Sequence, residues 1–214
     1  MNIEQDLRVI IENAVHKHLK EQYKHNILVP AGISNRHIHL SRKHVELLFG
    51  EGYFLTKLKN LSQTGQYAAK ETLTIQGPRG KIQGVRILGP EREQSQVELM
   101  LSDTYTLGIK APVRESGDLE NTPGIMLEGP RGVVKLNSGV ISAQRHIHLN
   151  PLDAELAGLK DRDVVMVRTG GERALTFSNV VIRVHPSFIT EFHIDMDEAN
   201  SAGIVKGDYV EVLK

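Results

Sequence analysis

Arg36-His37-Ile38-His39-Leu40 returns unchanged as Arg145-His146-Ile147-His148-Leu149. Alternate residues of a β-strand point to one face, so each copy projects its two imidazoles together. Ile38 and Leu40, and likewise Ile147 and Leu149, are left to face a core. A lone H-x-H is more often a pair of ordinary strand histidines, and a repeat can preserve a motif for the fold alone. The core needs of these strands would be met by the aliphatic residues, which leaves the four imidazoles unexplained. Imidazole is a favoured ligand of zinc and related divalent metals, so the duplicated pair predicts a metal site.

Outward from these pentapeptides the chain after residue 26 reads mostly as short strands. Gly77-Pro78-Arg79-Gly80 and Gly129-Pro130-Arg131-Gly132 each fall between strand-like stretches (residues 72–75 and 81–88; 125–127 and 133–136), as Pro with flanking glycines suits a tight turn. Arg79 and Arg131 read as solvated turn residues. A third repeat pairs residues 157–165 with residues 202–210, each after a short helical stretch (151–156 and 197–201) and before a strand. The turn repeat is confined to the middle of the chain and the third repeat to its C-terminal part. Small duplicated β units tend to close into barrels, which removes exposed strand edges. The fold expected is therefore mainly β: two small closed β-barrels with short capping helices, plus an N-terminal amphipathic helix. Residues 26–35 and 144–214 would form the first barrel and residues 36–143 the second. The second carries an irregular insert near residues 50–70, in which Lys57, Lys59 and Gln66 are available to a ligand, and a surface loop over residues 111–124. The histidine pentapeptides fall near the seams, which points to a site shared by the two barrels.

Over residues 1–25, Ile3, Leu7, Ile10, Ile11, Ala14, Val15 and Leu19 recur at helical spacing with charged residues opposite. Such a helix either packs on its own domain or lays its apolar face into a partner's groove.

Composition excludes several classes. Lys plus Arg equals Asp plus Glu at 26 each, so no global field attracts nucleic acid or an anionic membrane. With no cysteine there are no disulfides, thiolate ligands or cysteine nucleophile, and any metal falls to His, Asp, Glu and water. Glu4 and Asp6 are unlike the basic start of a secretory signal and no long apolar span occurs, so a cytoplasmic or organelle-lumen location is the simplest.

Strand phase screens the other candidates. In residues 96–101 the apolar Val97, Leu99 and Leu101 share a face, which turns Glu98 away as a solvent-facing acid. His193, between Phe192 and Ile194, reads by itself as a strand histidine. His16, His18, His25, His44 and His185 lack a matching partner. Arg86 and Arg92 flank Gly89-Pro90 in a basic stretch suited to phosphate.

Gly32-Ile33-Ser34-Asn35-Arg36-His37-Ile38-His39-Leu40-Ser41, Gln66-Tyr67-Ala68-Ala69, Leu88-Gly89-Pro90-Glu91-Arg92, Gln96-Val97-Glu98, Ala143-Gln144-Arg145-His146-Ile147-His148 and His193-Ile194-Asp195-Met196-Asp197-Glu198-Ala199-Asn200 stand in this order. Over about residues 27–214 this pattern resembles the PduL-type phosphate propanoyltransferases (phosphotransacylases) of propanediol-utilising microcompartments and their relatives, with no departure at a motif position. The resemblance implies two β-barrels and two zinc ions held by His37, His39, Glu98, His146, His148 and His193. It implies a coenzyme A site formed by Ile33, Ser34, Asn35, Lys59, Arg86, Leu88 and Asn200, with Arg92 as the catalytic contact to phosphate. The N-terminal helix resembles the encapsulation peptides of some family members. That implies a microcompartment shell or core protein as partner of residues 1–20, and a location inside a microcompartment. A homo-oligomer is left open.

The reaction so implied converts acyl-CoA (propanoyl-CoA or acetyl-CoA) plus phosphate into acyl phosphate plus CoA, and back. Both nucleophiles come from substrates, which suits a chain without cysteine, and direct transfer in a ternary complex is expected. H-x-H also opens cupin and amidohydrolase metal sites. Cupins place an acid three or four residues on, whereas the first here is Glu46. Amidohydrolases need a barrel of ~250 residues. The alternatives are another divalent-metal hydrolase and a metal-stabilised microcompartment scaffold.

Overall fold

The computed structural model describes residues 27–214 together with Leu7, Ile10, Ile11, Ala14 and Val15. Those five are helical and exposed, and the rest of the helix expected over residues 1–25 lies outside the described residues. The elements in chain order are β1 (Ile27–Ser34), β2 (His37–His39), α1 (Arg42–Phe49), β3 (Lys57–Asn60), β4 (Tyr67–Gln76), β5 (Lys81–Gly89), β6 (Gln96–Glu98), α2 (Leu101–Leu107), β7 (Val113–Arg114) and β8 (Ile125–Glu128). Then follow β9 (Val133–Leu136), β10 (Val140–Ala143), β11 (His146–Leu149), α3 (Pro151–Ala157), β12 (Val164–Arg168), β13 (Thr176–Val184), β14 (Glu191–Asp195), α4 (Met196–Ala202) and β15 (Tyr209–Leu213). Two compact units result: Met1–Gly32 with Arg145–His193 and Ala202–Lys214, and Ile33–Gln144 with Ile194–Ser201.

The first unit is built on a closed barrel in the order β1-β14-β11-β13-β12-β15. Its interior follows from strand alternation: Ile27, Val29 and Ala31 of β1, Ile147 and Leu149 of β11, Val165 and Val167 of β12, and Val210 and Val212 of β15 are all buried. The repeated segments form matching corners. After α3, Gly158 adopts a left-handed φ of 62°, and the Lys160 amide donates to Asp163 Oδ2 at 2.7 Å. After α4, Gly203 has φ 64° and the Val205 amide donates to Asp208 Oδ2 at 2.9 Å. The aspartate at each corner closes the turn that feeds the next strand.

The second unit is a nine-stranded sheet in the order β7-β10-β6-β2-β5-β4-β8-β9, with β3 paired to β4. The mainly β architecture is as expected; the ring of strands closes in the first unit, and in the second the path runs from β7 to β9. One face carries the core, including Ile38, Leu40, Leu73, Ile75, Ile87, Val97 and Leu127. Two expectations are corrected here. The region near residues 50–70 is not irregular throughout, because β3 and the start of β4 pair there, Lys59 opposite Ala68. The strand expected over residues 96–101 stops at Glu98, and Leu101, 52% exposed, opens α2 instead of continuing the apolar face.

The two Gly-Pro-Arg-Gly turns do more than reverse the chain. Each closes by a glycine-to-glycine bond, Gly77 N–H to Gly80 O and Gly129 N–H to Gly132 O, both 2.9 Å. Arg79 and Arg131 have exposed side chains, yet their backbone amides donate to Leu107 O and Leu48 O near the ends of α2 and α1. These bonds satisfy helix-terminal carbonyls that would otherwise lack a partner. Glycine is required for the approach: a Cβ on Gly77 would lie 2.2 Å from Leu107 O.

Candidate metal centres and anion cleft

Both pentapeptides form short strands, β2 and β11, that lead at once into a helix capped by a polar side chain. Ser41 Oγ accepts from the His44 amide, and Asn150 Oδ1 accepts from the Asp153 amide. Ile38, Leu40, Ile147 and Leu149 are buried as their alternation predicts.

In the second unit, β2 pairs antiparallel with β6 so that His37 lies opposite Glu98 and His39 opposite Gln96. This collects His37, His39 and Glu98 into one group whose ligand atoms all lie within 4.8 Å of one another. His37 Nε2 is 3.4 Å from Glu98 Oε2, and His39 Nε2 is 3.9 Å from Glu98 Oε1. Donors at zinc bond lengths in a tetrahedron stand roughly 3.4 Å apart, so the spacing suits one ion. His37 Nδ1 donates to Asn35 O at 2.8 Å, which fixes the ring with Nε2 turned to Glu98 as the nitrogen available to an ion. The strand-phase reading of Glu98 as solvent-facing is corrected: it does point away from the core, but the face it joins is closed off and Glu98 is only 9% exposed.

The electrostatics follow from that burial. Burial pushes the His39 imidazolium down to about 3, helped by His37, with Glu98 acting in the opposite sense. Burial works against a charged His37 too, but the Glu98 charge and hydrogen bond outweigh it and the value is raised. Burial would raise the Glu98 carboxyl, yet His37, His39 and Ser116 hold it well below the usual carboxylate range.

In the first unit, β11 pairs antiparallel with β14 in the same manner, placing His146 opposite His193 and His148 opposite Glu191. His146, His148 and His193 form the second group within 4.8 Å. The rings of His146 and His193 stack at 4.9 Å, and His148 lies 4.7 and 4.5 Å from them. Both nitrogens of His148 are buried without a hydrogen-bond partner among the described residues, as is His39 Nδ1. Orphaned, buried imidazole nitrogens are costly unless something binds them, and with His146 and His193 beside it one nitrogen of His148 suits a metal ion. Burial brings His148 down to about 2, with His193, His146 and Arg183 contributing, so the neutral, ligating form persists.

A cleft of about 220 Å³ in the second unit is lined by His39, Thr64, Gly65, Gln66, Gly89, Pro90 and Arg92. The Arg92 backbone N–H donates to Leu40 O at 2.9 Å, which fixes the main chain there, and its Nη1 donates to Ser116 Oγ at 3.0 Å. Ser116 Oγ in turn donates to Glu98 Oε1 at 2.9 Å, and Gln96 Nε2 donates to the same oxygen at 2.6 Å. Ser116 thus joins the cationic wall of the cleft to a candidate metal ligand. The sequence pattern does not single it out, since a serine in an irregular loop carries no periodic signal. Phe188 went unnoticed for the same reason; its ring stacks on His148 at 3.8 Å.

The residues implied for coenzyme A all fall in the second unit. Lys59 pairs with Ala68, Ala68 with Leu88, and Arg86 with His37, so Lys59, Leu88 and Arg86 share the sheet face of the His37 group. Arg86 Nη1 is engaged by Ala69 O and Lys70 O. Ser34 Oγ donates to Ile194 O at 3.4 Å, close to the segment that carries the exposed Asn200. Ile33 and Asn35 flank Ser34, and Asn35 Oδ1 is taken by the Arg36 amide.

A family model described as phosphate propanoyltransferase matches residues 30–205. The chain is 55% identical over 184 residues to the phosphate propanoyltransferase of Thermotoga maritima, covering 86% of this chain and 88% of the relative. It is 49% identical over 208 residues to that of Clostridioides difficile, 97% of each, and 48% identical over 214 residues to that of Enterococcus faecalis, the whole of both.

Proposed function

The chain belongs to the phosphate propanoyltransferase family and is an acyltransferase, and from that premise we propose that it moves the acyl group of propanoyl-CoA or acetyl-CoA directly to phosphate, releasing CoA, and runs the reverse reaction. The observation that carries this reading is the linkage of Arg92, on the wall of an anion-sized cleft, to the His37–His39–Glu98 group through Ser116.

His37, His39 and Glu98 would hold one zinc ion, and His146, His148 and His193 a second. Bound there, divalent ions supply Lewis acidity to the thioester carbonyl and to phosphate oxygens. Arg92 binds phosphate through charge-assisted bonds and offsets its charge, which lowers the cost of bringing it to an anionic CoA ester. Ser116 holds the guanidinium in one orientation, so phosphate is bound in a fixed pose and the encounter becomes nearly intramolecular. A cleft of about 220 Å³ takes phosphate with a short acyl group and not the bulk of CoA. Ile33, Ser34, Asn35, Lys59, Arg86, Leu88 and Asn200 would bind the remainder of CoA on the adjoining sheet face. Phosphate and the CoA thiolate are the nucleophiles, so no acyl-enzyme forms.

Leu7, Ile10, Ile11, Ala14 and Val15 lie on one exposed helical face, which supports a role for residues 1–20 in docking to a microcompartment protein. Among the described residues no helix is long and apolar enough to cross a membrane.

The test is thiol release from propanoyl-CoA and acetyl-CoA with and without phosphate. A transferase releases thiol only with phosphate and makes an equal amount of acyl phosphate. A hydrolase releases thiol without phosphate, a scaffold releases none, and either result refutes the proposal.

A further inference from the structure

Glu191 is a buried carboxylate, 6% exposed, to which neither the sequence pattern nor the proposed reaction gives a role. It lies on β14 directly opposite His148, two residues before His193, and its Oε2 is 3.2 Å from His193 Nε2. Its counterpart in the second unit is Gln96, which lies on β6 directly opposite His39, two residues before Glu98. Gln96 donates from Nε2 to the Glu98 carboxylate at 2.6 Å. The third residue of one group is an acceptor-only carboxylate, and the side chain beside it is a donor. The third residue of the other group is an imidazole with a proton to give, and the side chain beside it is an acceptor. The partner changes polarity with the ligand it serves.

Resting on the metal reading above, we propose that Glu191 is the positioning residue of the His146–His148–His193 group, accepting the Nε2 proton of His193 so that its Nδ1 lone pair is aimed at the ion. A carboxylate behind a ligating imidazole fixes tautomer and ring orientation and raises ligand basicity. It also gives this otherwise neutral group one negative charge close by, as Glu98 gives the other.

Gly32 makes room for this arrangement. It is buried in β1, the barrel neighbour of β14, and a Cβ there would lie 2.5 Å from Glu191 Cδ and 2.8 Å from Oε1. Its φ is not in the left-handed region, so backbone conformation does not demand glycine at this position. The demand is for the space that the Glu191 carboxylate fills.

Metal-free wild type, Glu191→Ala, Glu191→Gln, Gly32→Ala and the Gly32→Ala/Glu191→Ala pair are titrated with zinc(II) against a chromophoric chelator, and the cobalt(II) absorption of each is recorded. Wild type binds two equivalents. Glu191→Ala and Gly32→Ala each weaken one equivalent about 10- to 100-fold and alter its cobalt bands. Glu191→Gln, which keeps an acceptor oxygen, loses less. The double variant is no weaker than Glu191→Ala, because the added methyl enters vacated space; if Glu191→Ala does not fold, the double variant carries the comparison with wild type. Two equivalents at wild-type affinity and with unchanged cobalt bands in Glu191→Ala, or losses that multiply in the double variant, would overturn the role of Glu191 alone. A wild type that binds no ion would remove the metal reading and this inference with it.

Discussion

Glu98 lies directly opposite His37 across the antiparallel β2–β6 pair, its Oε2 3.4 Å from His37 Nε2. His193 holds the same position opposite His146 across β11–β14. Each candidate centre therefore takes two ligands from one H-x-H strand and a third from the residue facing the first histidine on the neighbouring strand. A cross-strand pair of this kind brings side chains within direct contact without any loop having to deliver them.

Ser116 should report on phosphate more than on CoA. Its hydroxyl accepts from Arg92 and donates to Glu98, and a hydrogen bond to a charged group is worth about 1.5–3 kcal/mol. Ser116→Ala is expected to raise the KM for phosphate about tenfold or more and to leave the KM for propanoyl-CoA within about threefold. Steady-state kinetics with each substrate varied in turn measures the split.

Phe188 is expected to steady His148, whose nitrogens have no hydrogen-bond partner among the described residues. An aromatic stack of this kind contributes about 0.5–1.5 kcal/mol beyond burial. Phe188→Leu should weaken cobalt binding at one equivalent about 3- to 10-fold, whereas Phe188→Tyr should retain it. A cobalt titration followed by absorption distinguishes the two.

Acid should destabilise the metal-stripped protein above the range in which carboxylates titrate. His39 and His148 are lowered to about 3 and about 2, against about 6.5 in the unfolded chain. Their contribution is complete above pH 6.5 and is lost progressively as pH falls towards those values. His37 is raised, so its contribution is complete below 6.5 and lost only as pH rises through its folded value. Glu98 is lowered and keeps its contribution until the pH drops below the ordinary carboxyl range. His44 is lowered too, by burial and by Lys43, so between pH 7 and 5 His39, His44 and His148 outweigh His37 and the melting temperature of stripped protein should fall; His148→Phe should flatten that slope.

Sequence periodicity was enough to place Ile38, Leu40, Ile147 and Leu149 in cores and the turn and corner repeats in strand-to-strand and helix-to-strand connections. The histidine couples were legible because period-2 spacing is a local property. Glu98 and His193 were not legible from phase, since an isolated strand does not say which strand lies beside it; only the resemblance named them as ligands. Ser116 and Phe188 act through contacts distant in sequence that leave no mark on local spacing, while Gln96 and Glu191 each stand two residues before the residue they touch, a spacing that carries no signal until that residue is known as a ligand. The strand end at Glu98 was missed because Leu101 continues the alternation while Met100 already caps α2.

Gly77 tests whether the turn must approach the end of α2. Gly77→Ala would bring a methyl to 2.2 Å from Leu107 O and should cost about 1–3 kcal/mol. Gly170→Ala, where nothing lies within 4 Å, should stay within about 0.5 kcal/mol of wild type. Urea denaturation of both proteins supplies the comparison.

The central claim is that both histidine groups hold ions on which acyl transfer depends. It is tested most directly by metal analysis and phosphate-dependent thiol release on wild type, His37→Ala and His146→Ala. The account predicts two ions per wild-type chain, one in each variant, and a rate at least about 100-fold lower in both, since losing a ligand exceeds the 10- to 100-fold cost of losing a ligand's partner. A variant that keeps the wild-type rate after losing its ion, or loses the rate with both ions in place, would contradict it.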